Sequence, residues 1–218
     1  MDAISDSKVP LPLATPIAFE EPQHHRSTLV MRVIAGKYRS RPLSALPGLD
    51  LRPTTDRLRE TLFNVLTAGN PSALEGTVWL DLYAGTGAVG IEALSRGAEM
   101  VYFVESSARG ADLLRKNLQS LNIESGFEIV KKDSVQSLRG LETRGVTADF
   151  AFLDPPYRLQ PAYQQTLEHL GQVRLLKLTS IVIAEHEKRF DPGEKFESLG
   201  RYRTLTQGDA ALSFYRIL

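Results

Sequence analysis

The chain has 218 residues, 42% of them hydrophobic, which suits one α/β domain with a small appendage. Its 26 basic and 26 acidic side chains cancel, which argues against a blanket nucleic-acid coat, and the lack of cysteine excludes disulfides and thiolate metal sites. No apolar run reaches the roughly 18 residues of a membrane span, so a monomer in the cytoplasm is the expectation.

Residues 1–30 carry Pro10, Pro12, Pro16 and Pro22 and no clean apolar core. They are expected to form an irregular leader, unlike a secretory signal. Structured sequence should begin at Met31. Arg32 to Ala35 reads as a strand, Gly36-Lys37 as a bend, and Tyr38 to Leu43 as a return strand, giving a small basic β-hairpin followed by a loop to residue 53. Eight Lys/Arg stand between Arg26 and Glu60 against three acids, a local excess that suggests a directed phosphate contact. Thr54, Thr55 or Asp56 can cap a helix running to about Leu66. Leu58, Leu62, Phe63, Val65 and Leu66 give that helix an apolar stripe, with Arg57, Glu60 and Asn64 off it.

From residue 77 strands and helices alternate. Strand-like runs fall near 78–82, 100–105, 127–131, 149–153 and 180–185, with helical patterns near 87–96, 107–121, 133–143 and 161–172. Five strands with crossovers predict a parallel doubly wound α/β sheet. Tyr202 to Thr206 and Ala211 to Leu218, around Gln207-Gly208-Asp209, predict a C-terminal hairpin. The expected total is seven strands, one of them antiparallel.

The first of these strands, Val78 to Tyr83, feeds Ala84-Gly85-Thr86-Gly87-Ala88-Val89-Gly90. Glycines let the backbone pass close to a ligand, and the following helix presents free N–H groups. Glu105 ends the second strand, where an acid can accept bonds from ribose hydroxyls, and Asp133 follows the third at the same sheet edge. This loop satisfies both a dinucleotide GxGxxG pattern and the first motif of methyltransferases, and by itself it does not separate them. The four histidines, His24, His25, His169 and His186, lack metal-ligand spacing, so no metal is expected.

The fourth strand ends in Asp154-Pro155-Pro156-Tyr157 after the apolar run Phe150 to Leu153. Proline has no N–H, so the turn offers almost only acceptors, the Asp154 carboxylate and nearby carbonyls. A flat donor with an aromatic face, such as a nucleobase amine, fits it. Asp-Pro-Pro-Tyr resembles the signature of S-adenosylmethionine-dependent amino methyltransferases. The resemblance implies that Asp154 and the Pro155 carbonyl accept the amine N–H bonds, with Pro156 shaping the turn and Tyr157 stacking on the ring. It also decides between the two readings of the glycine loop. It places Gly85, Thr86 and Gly87 along the cofactor, Glu105 with Ser106 at the ribose, and Asp133 with Ser134 at the adenine. Asp154 then lies near the sulfonium, and Asp81 and Tyr83, on the strand that feeds the loop, complete the cofactor-binding set, Asp81 orienting the loop more than touching the ligand.

Met31 to Arg39, Leu51-Arg52-Pro53-Thr54-Thr55-Asp56-Arg57-Leu58-Arg59-Glu60-Thr61-Leu62-Phe63-Asn64 and Ala184-Glu185-His186 are similar to the bacterial small-subunit rRNA guanine-N2 methyltransferases, the RsmD family. The similarity runs from about residue 31 to the end; the leader is the departure. It implies a class I methyltransferase fold over residues 54–218, S-adenosylmethionine as cofactor, and rRNA of the small ribosomal subunit as partner. Arg39, Arg41, Arg52, Arg57 and Arg59 would then hold RNA phosphates, with Arg39 and Arg41 sharing one strand face. The target guanine would be flipped toward Tyr157. The alternatives are a DNA adenine-N6 or protein glutamine methyltransferase with the same four-residue signature, and a catalytically silent RNA-binding factor.

Overall fold

Short runs of apolar, mostly β-branched or aromatic residues form the central strands. They are β1 (Val78–Asp81), β2 (Met100–Val104), β3 (Phe127–Val130), β4 (Ala148–Leu153) and β5 (Leu176–Glu187). All five are parallel in the order β3-β2-β1-β4-β5, as right-handed crossovers through helices require. The computed structural model describes residues 31–45, 56–156 and 158–218. The expected leader, loop residues 46–53, Arg52, the candidate caps Thr54 and Thr55, and Tyr157 lie outside the described residues.

The sheet continues past β5 with β8 (Ala210–Ile217), β7 (Leu199–Gln207) and the two-residue β6 (Lys195–Phe196). The expected C-terminal hairpin is therefore β7–β8, turned at Gly208 with φ 62°. Among the described residues the sheet has eight strands rather than the expected seven. The additional β6 is too short to carry a periodic signal, and both it and β8 run against β1–β5.

Alternation along each strand splits the core in two. On one face Trp79, Phe103, Phe150 and Phe152 pack with α1 (Asp56–Leu66), α2 (Ala88–Ser95) and α3 (Ala108–Ser120). Trp79 stacks between Phe63 of α1 and Phe150, with ring centroids 5.5 and 4.6 Å away. On the other face Leu80, Ala151, Leu153 and Val182 pack with α4 (Ser134–Thr143) and α5 (Gln160–Gln172). All loops that follow β1, β2, β3 and β4 thus gather at one carboxyl edge.

Residues 31–45 pack onto the first face through buried Met31, Val33 and Leu43. The expected pair of strands there is corrected to a single bridge, Arg32 to Pro42, around a turn. A lone two-stranded hairpin is marginal in water. Three backbone bonds still join the two limbs, from the Val33 N–H to the Arg41 carbonyl at 3.0 Å and from the Ser40 and Leu43 N–H groups to the Val33 and Met31 carbonyls at 2.8 Å, and other amides bond α2. The buried Glu92 carboxylate accepts the Ile34 N–H at 2.7 Å and the Ala35 N–H at 2.9 Å. The Lys37 N–H donates to the Ser95 carbonyl at 2.7 Å, and the Tyr38 N–H to Ser95 Oγ at 2.9 Å. Gly36 is obligatory: its φ is 78° and a Cβ would lie 1.8 Å from the Ser95 carbonyl oxygen.

Candidate active site

The glycine loop is built from below by Asp81, the last residue of β1. Gly87, the N-cap of α2, has a φ of 80° and no side chain with which to cap the helix. Asp81 Oδ2 supplies the missing acceptor, 3.0 Å from the Gly90 N–H in the first turn. Burial pushes the Asp81 carboxyl up to about 7, against the pull of that bond. Gly87 and Gly90 serve packing, because a Cβ on either would lie 2.2 Å from Leu114 or Phe103. Thr86 is buried, with its carbonyl held by Asn117 Nδ2 at 2.9 Å.

Glu105, just past β2, closes the loop from the side. Its carboxylate accepts the Gly85 N–H at 2.9 Å and the Ser107 N–H at 2.7 Å. Gly110 in the first turn of α3 makes room for it, since a Cβ there would come within 2.7 Å of the Glu105 carboxyl carbon. Asp133 caps α4 through the Gln136 N–H at 2.9 Å. Ser134, Tyr83 and Thr166 join their hydroxyls in a ring with separations of 2.8, 2.8 and 3.0 Å. That ring ties the β1 loop, α4 and α5 together.

These elements surround a cavity of about 770 Å³, within the roughly 300–1,000 Å³ of small-molecule sites. Of the residues expected at the site, Tyr83, Gly85, Glu105, Ser106, Asp133, Ser134, Asp154, Pro155 and Pro156 line it. Asp81, Thr86 and Gly87 do not; they shape the loop from behind. The lining fits a nucleoside with a cationic tail. It offers a carboxylate at each of two strand ends for hydroxyl or amine donors, an apolar wall from Leu82 and Val104, and a third acid, Asp154, that could face a positive charge.

Asp154 follows β4 and is half-buried, while Pro155 is buried and Pro156 exposed. Burial, then the neighbouring Glu185 and Asp81 carboxylates, hold the Asp154 carboxyl well above its ordinary range. Tyr163 of α5, fully buried, braces this turn from beneath. Its hydroxyl donates to the Glu185 carbonyl at 2.7 Å and lies 3.5 Å from the Pro155 carbonyl. Tyr163 and Thr166 escape a motif search. Their one sequence signal is that they sit three residues apart on a single helix face just after the Asp-Pro-Pro turn.

The basic residues divide. Arg39 and Arg41 are exposed on the N-terminal segment and Arg57 is exposed on α1. Because no strand forms there, Arg39 lies in the turn and Arg41 after it; Arg41 Nη2 donates to the Ser120 carbonyl at 2.7 Å. Arg59 is a correction: it has no exposed surface and cannot reach an RNA phosphate. Its Nη2 donates to the Arg32 carbonyl and to Asp56 Oδ1, the latter at 2.9 Å, and its Nε is 3.9 Å from Glu92 Oε2.

The sequence profile of the family described as "Conserved hypothetical protein 95" matches residues 31–216. The ribosomal RNA small subunit methyltransferase D of Haemophilus influenzae is 38% identical over 159 residues, covering 72% of this chain and 79% of that protein. Its counterpart from Escherichia coli is 38% identical over 168 residues, covering 77% and 80%. The solved structure of the Escherichia coli protein yhhF superposes with a TM-score of 0.72 at 28% identity, covering 86% of this chain and 98% of that one.

Proposed function

This chain belongs to the Conserved hypothetical protein 95 family, that of the RsmD-type methyltransferases, and on that footing we propose that it methylates the exocyclic N2 amine of a guanine in small-subunit rRNA. S-adenosylmethionine, which supplies an electrophilic methyl group when bound, is the donor in this reading. The observation that carries it is the acceptor-rich corner at the carboxyl end of β4, where Asp154 and Pro155 border the same cavity as Gly85 and Glu105.

Each residue has a defined task. Glu105 and Asp133 offer acceptors to the hydroxyls and amine of a nucleoside, and Gly85 lets the backbone approach it. The chain's own donors already hold Glu105 from one side, at Gly85 and Ser107, so its remaining lone pairs point to the ligand side. A guanine amine is a poor nucleophile because its lone pair is delocalised into the ring. Asp154 and the Pro155 carbonyl accept its two N–H bonds, which favours a pyramidal nitrogen and aims its lone pair. Positioning of this kind draws on the roughly 7–11 kcal/mol available to well-oriented reactants. Tyr157 stacks on the extruded base in this reading, and Arg39, Arg41, Arg52 and Arg57 hold RNA phosphates, with Arg39 and Arg41 acting from near the C-terminal ends of α2 and α3, away from the carboxyl edge.

Asp154→Ala tests the assignment. Turnover should be lost while cofactor binding is largely kept, measured by calorimetry with S-adenosylhomocysteine. Substantial residual turnover would remove Asp154 from its role.

A further inference from the structure

Methylating an amine leaves a proton to be removed. The N–C bond forms as the donor's S–C bond breaks with its electron pair left on sulfur. The N–H bond must then break, its pair returning to nitrogen, and the proton needs an acceptor.

The sheet register sets two carboxylates side by side for that purpose. Leu153 of β4 pairs with Ala184 of β5, so Asp154 and Glu185 are the next neighbours at the carboxyl edge. Glu185 stands two residues beyond Ile183 within β5 and shares its α1-packed face, and Asp154 stands two residues beyond Phe152, just past the end of β4. Asp81 pairs with Phe152 and shares that face. His186, one residue further on, points to the opposite face, where its Nε2 meets Ser213 Oγ at 2.9 Å. Glu185 has 2% of its surface exposed, so its charge cannot be left to water.

A buried cation stands nearby on α1. Arg59 is wholly buried, and its Nε and Nη1 have no hydrogen-bond partner among the described residues. Its close carboxylates are Asp56 on its own helix at 2.9 Å and Glu92 on α2 at 3.9 Å, and Glu185 on β5 attracts it from further off. Glu92 is already held by Arg96 Nε at 2.8 Å and by two backbone amides. The acids that raise Asp154 itself are Glu185 and Asp81, and Glu105 in turn raises Asp81. Two like charges this close do not both ionise freely, and a buried guanidinium with unused donors favours the pair carrying one negative charge.

We propose that Asp154 and Glu185 act as a proton-sharing carboxylate pair that receives the proton leaving the methylated amine, with Arg59 as the positioning residue that holds the pair's negative charge. This rests on the methyltransferase reading of the site. It gives Glu185 and Arg59 a part in the reaction that neither an RNA-contact nor a packing role would supply.

The test follows the carbon-13 carboxyl shift of Asp154 against pH in the full chain without cofactor. In Glu185→Gln the Asp154 midpoint should fall by about one pH unit or more, because its like-charged neighbour is gone. In Arg59→Met it should rise, and in the double variant it should return near the Glu185→Gln value. An Asp154 midpoint unchanged by Glu185→Gln would overturn the proposal, and that variant decides the matter should Arg59→Met fail to fold. The acid limb of single-turnover methyl transfer should move in the same directions as the midpoints. Shifted midpoints in a protein that methylates no substrate would refute the functional reading alone. Fixed midpoints in an active enzyme would refute the pair alone.

Discussion

Glu92 fastens the N-terminal segment to the methyltransferase core, and Glu92→Ala should show how strongly. The carboxylate is fully buried and accepts four donors or near-donors: the Ile34 and Ala35 amides, Arg96 Nε, and Arg59 Nε at 3.9 Å. Truncation leaves the fully buried Arg59 short of a counter-charge and Arg96 without its partner. Breaking a buried pair from one side costs roughly 3–5 kcal/mol. The two amides are only part-buried and regain water, so they add little, and about 4 kcal/mol is the expected loss. With a urea dependence of about 2 kcal/mol per molar, the unfolding midpoint should fall by about 2 M. Circular dichroism in urea reads the midpoint, and hydrogen exchange at Ile34 and Ala35 reads the local release. A midpoint within about 0.5 M of wild type would refute the view that this carboxylate anchors the segment.

Three further outcomes follow from the site. Asp81 is pushed up to about 7 in the fold, against about 3.9 in an unfolded chain, so the folded state binds the extra proton between those values. Stability should therefore fall as pH rises from about 4 to about 7, by about 4 kcal/mol from this group, and Asp81→Asn should remove that slope. Parallel pH profiles of wild type and variant in urea unfolding would contradict this. Glu105→Ala strips the Gly85 and Ser107 amides of their acceptor and removes the proposed ribose contact. Its dissociation constant for S-adenosylhomocysteine should rise about tenfold or more, and an unchanged constant would refute the assignment. Arg39→Ala with Arg41→Ala should raise the RNA KM and flatten its salt dependence by up to about two phosphate contacts. An unaltered salt slope would move the RNA surface elsewhere.

The parallel sheet was legible because buried strands such as Phe150 to Leu153 are continuous apolar runs ending in an acid or glycine at one edge. The same punctuation marked Gly85, Glu105, Asp133 and Asp154, which the fold brings to one cavity. Arg59 was misread by charge type. It stands three and four residues before Leu62 and Phe63, which puts it on the buried face of α1, and that spacing was available. The N-terminal segment was harder. The Ile34, Ala35, Lys37 and Tyr38 amides are satisfied by Glu92 and Ser95, more than fifty residues away, and nothing local announces such partners. Glu185 was visible as part of a motif. Its nearness to Asp154 depends on the β4–β5 register, which strand patterns alone leave undefined.

The most direct measurement is transfer of labelled methyl from S-adenosylmethionine to small ribosomal subunits that lack the native modification. Free rRNA, duplex DNA and a release-factor protein are the parallel substrates, and the labelled RNA is digested to nucleosides. Label recovered as N2-methylguanosine from subunit RNA is the predicted result. Label only in DNA or protein, or cofactor binding without transfer to any of the four, would contradict the account.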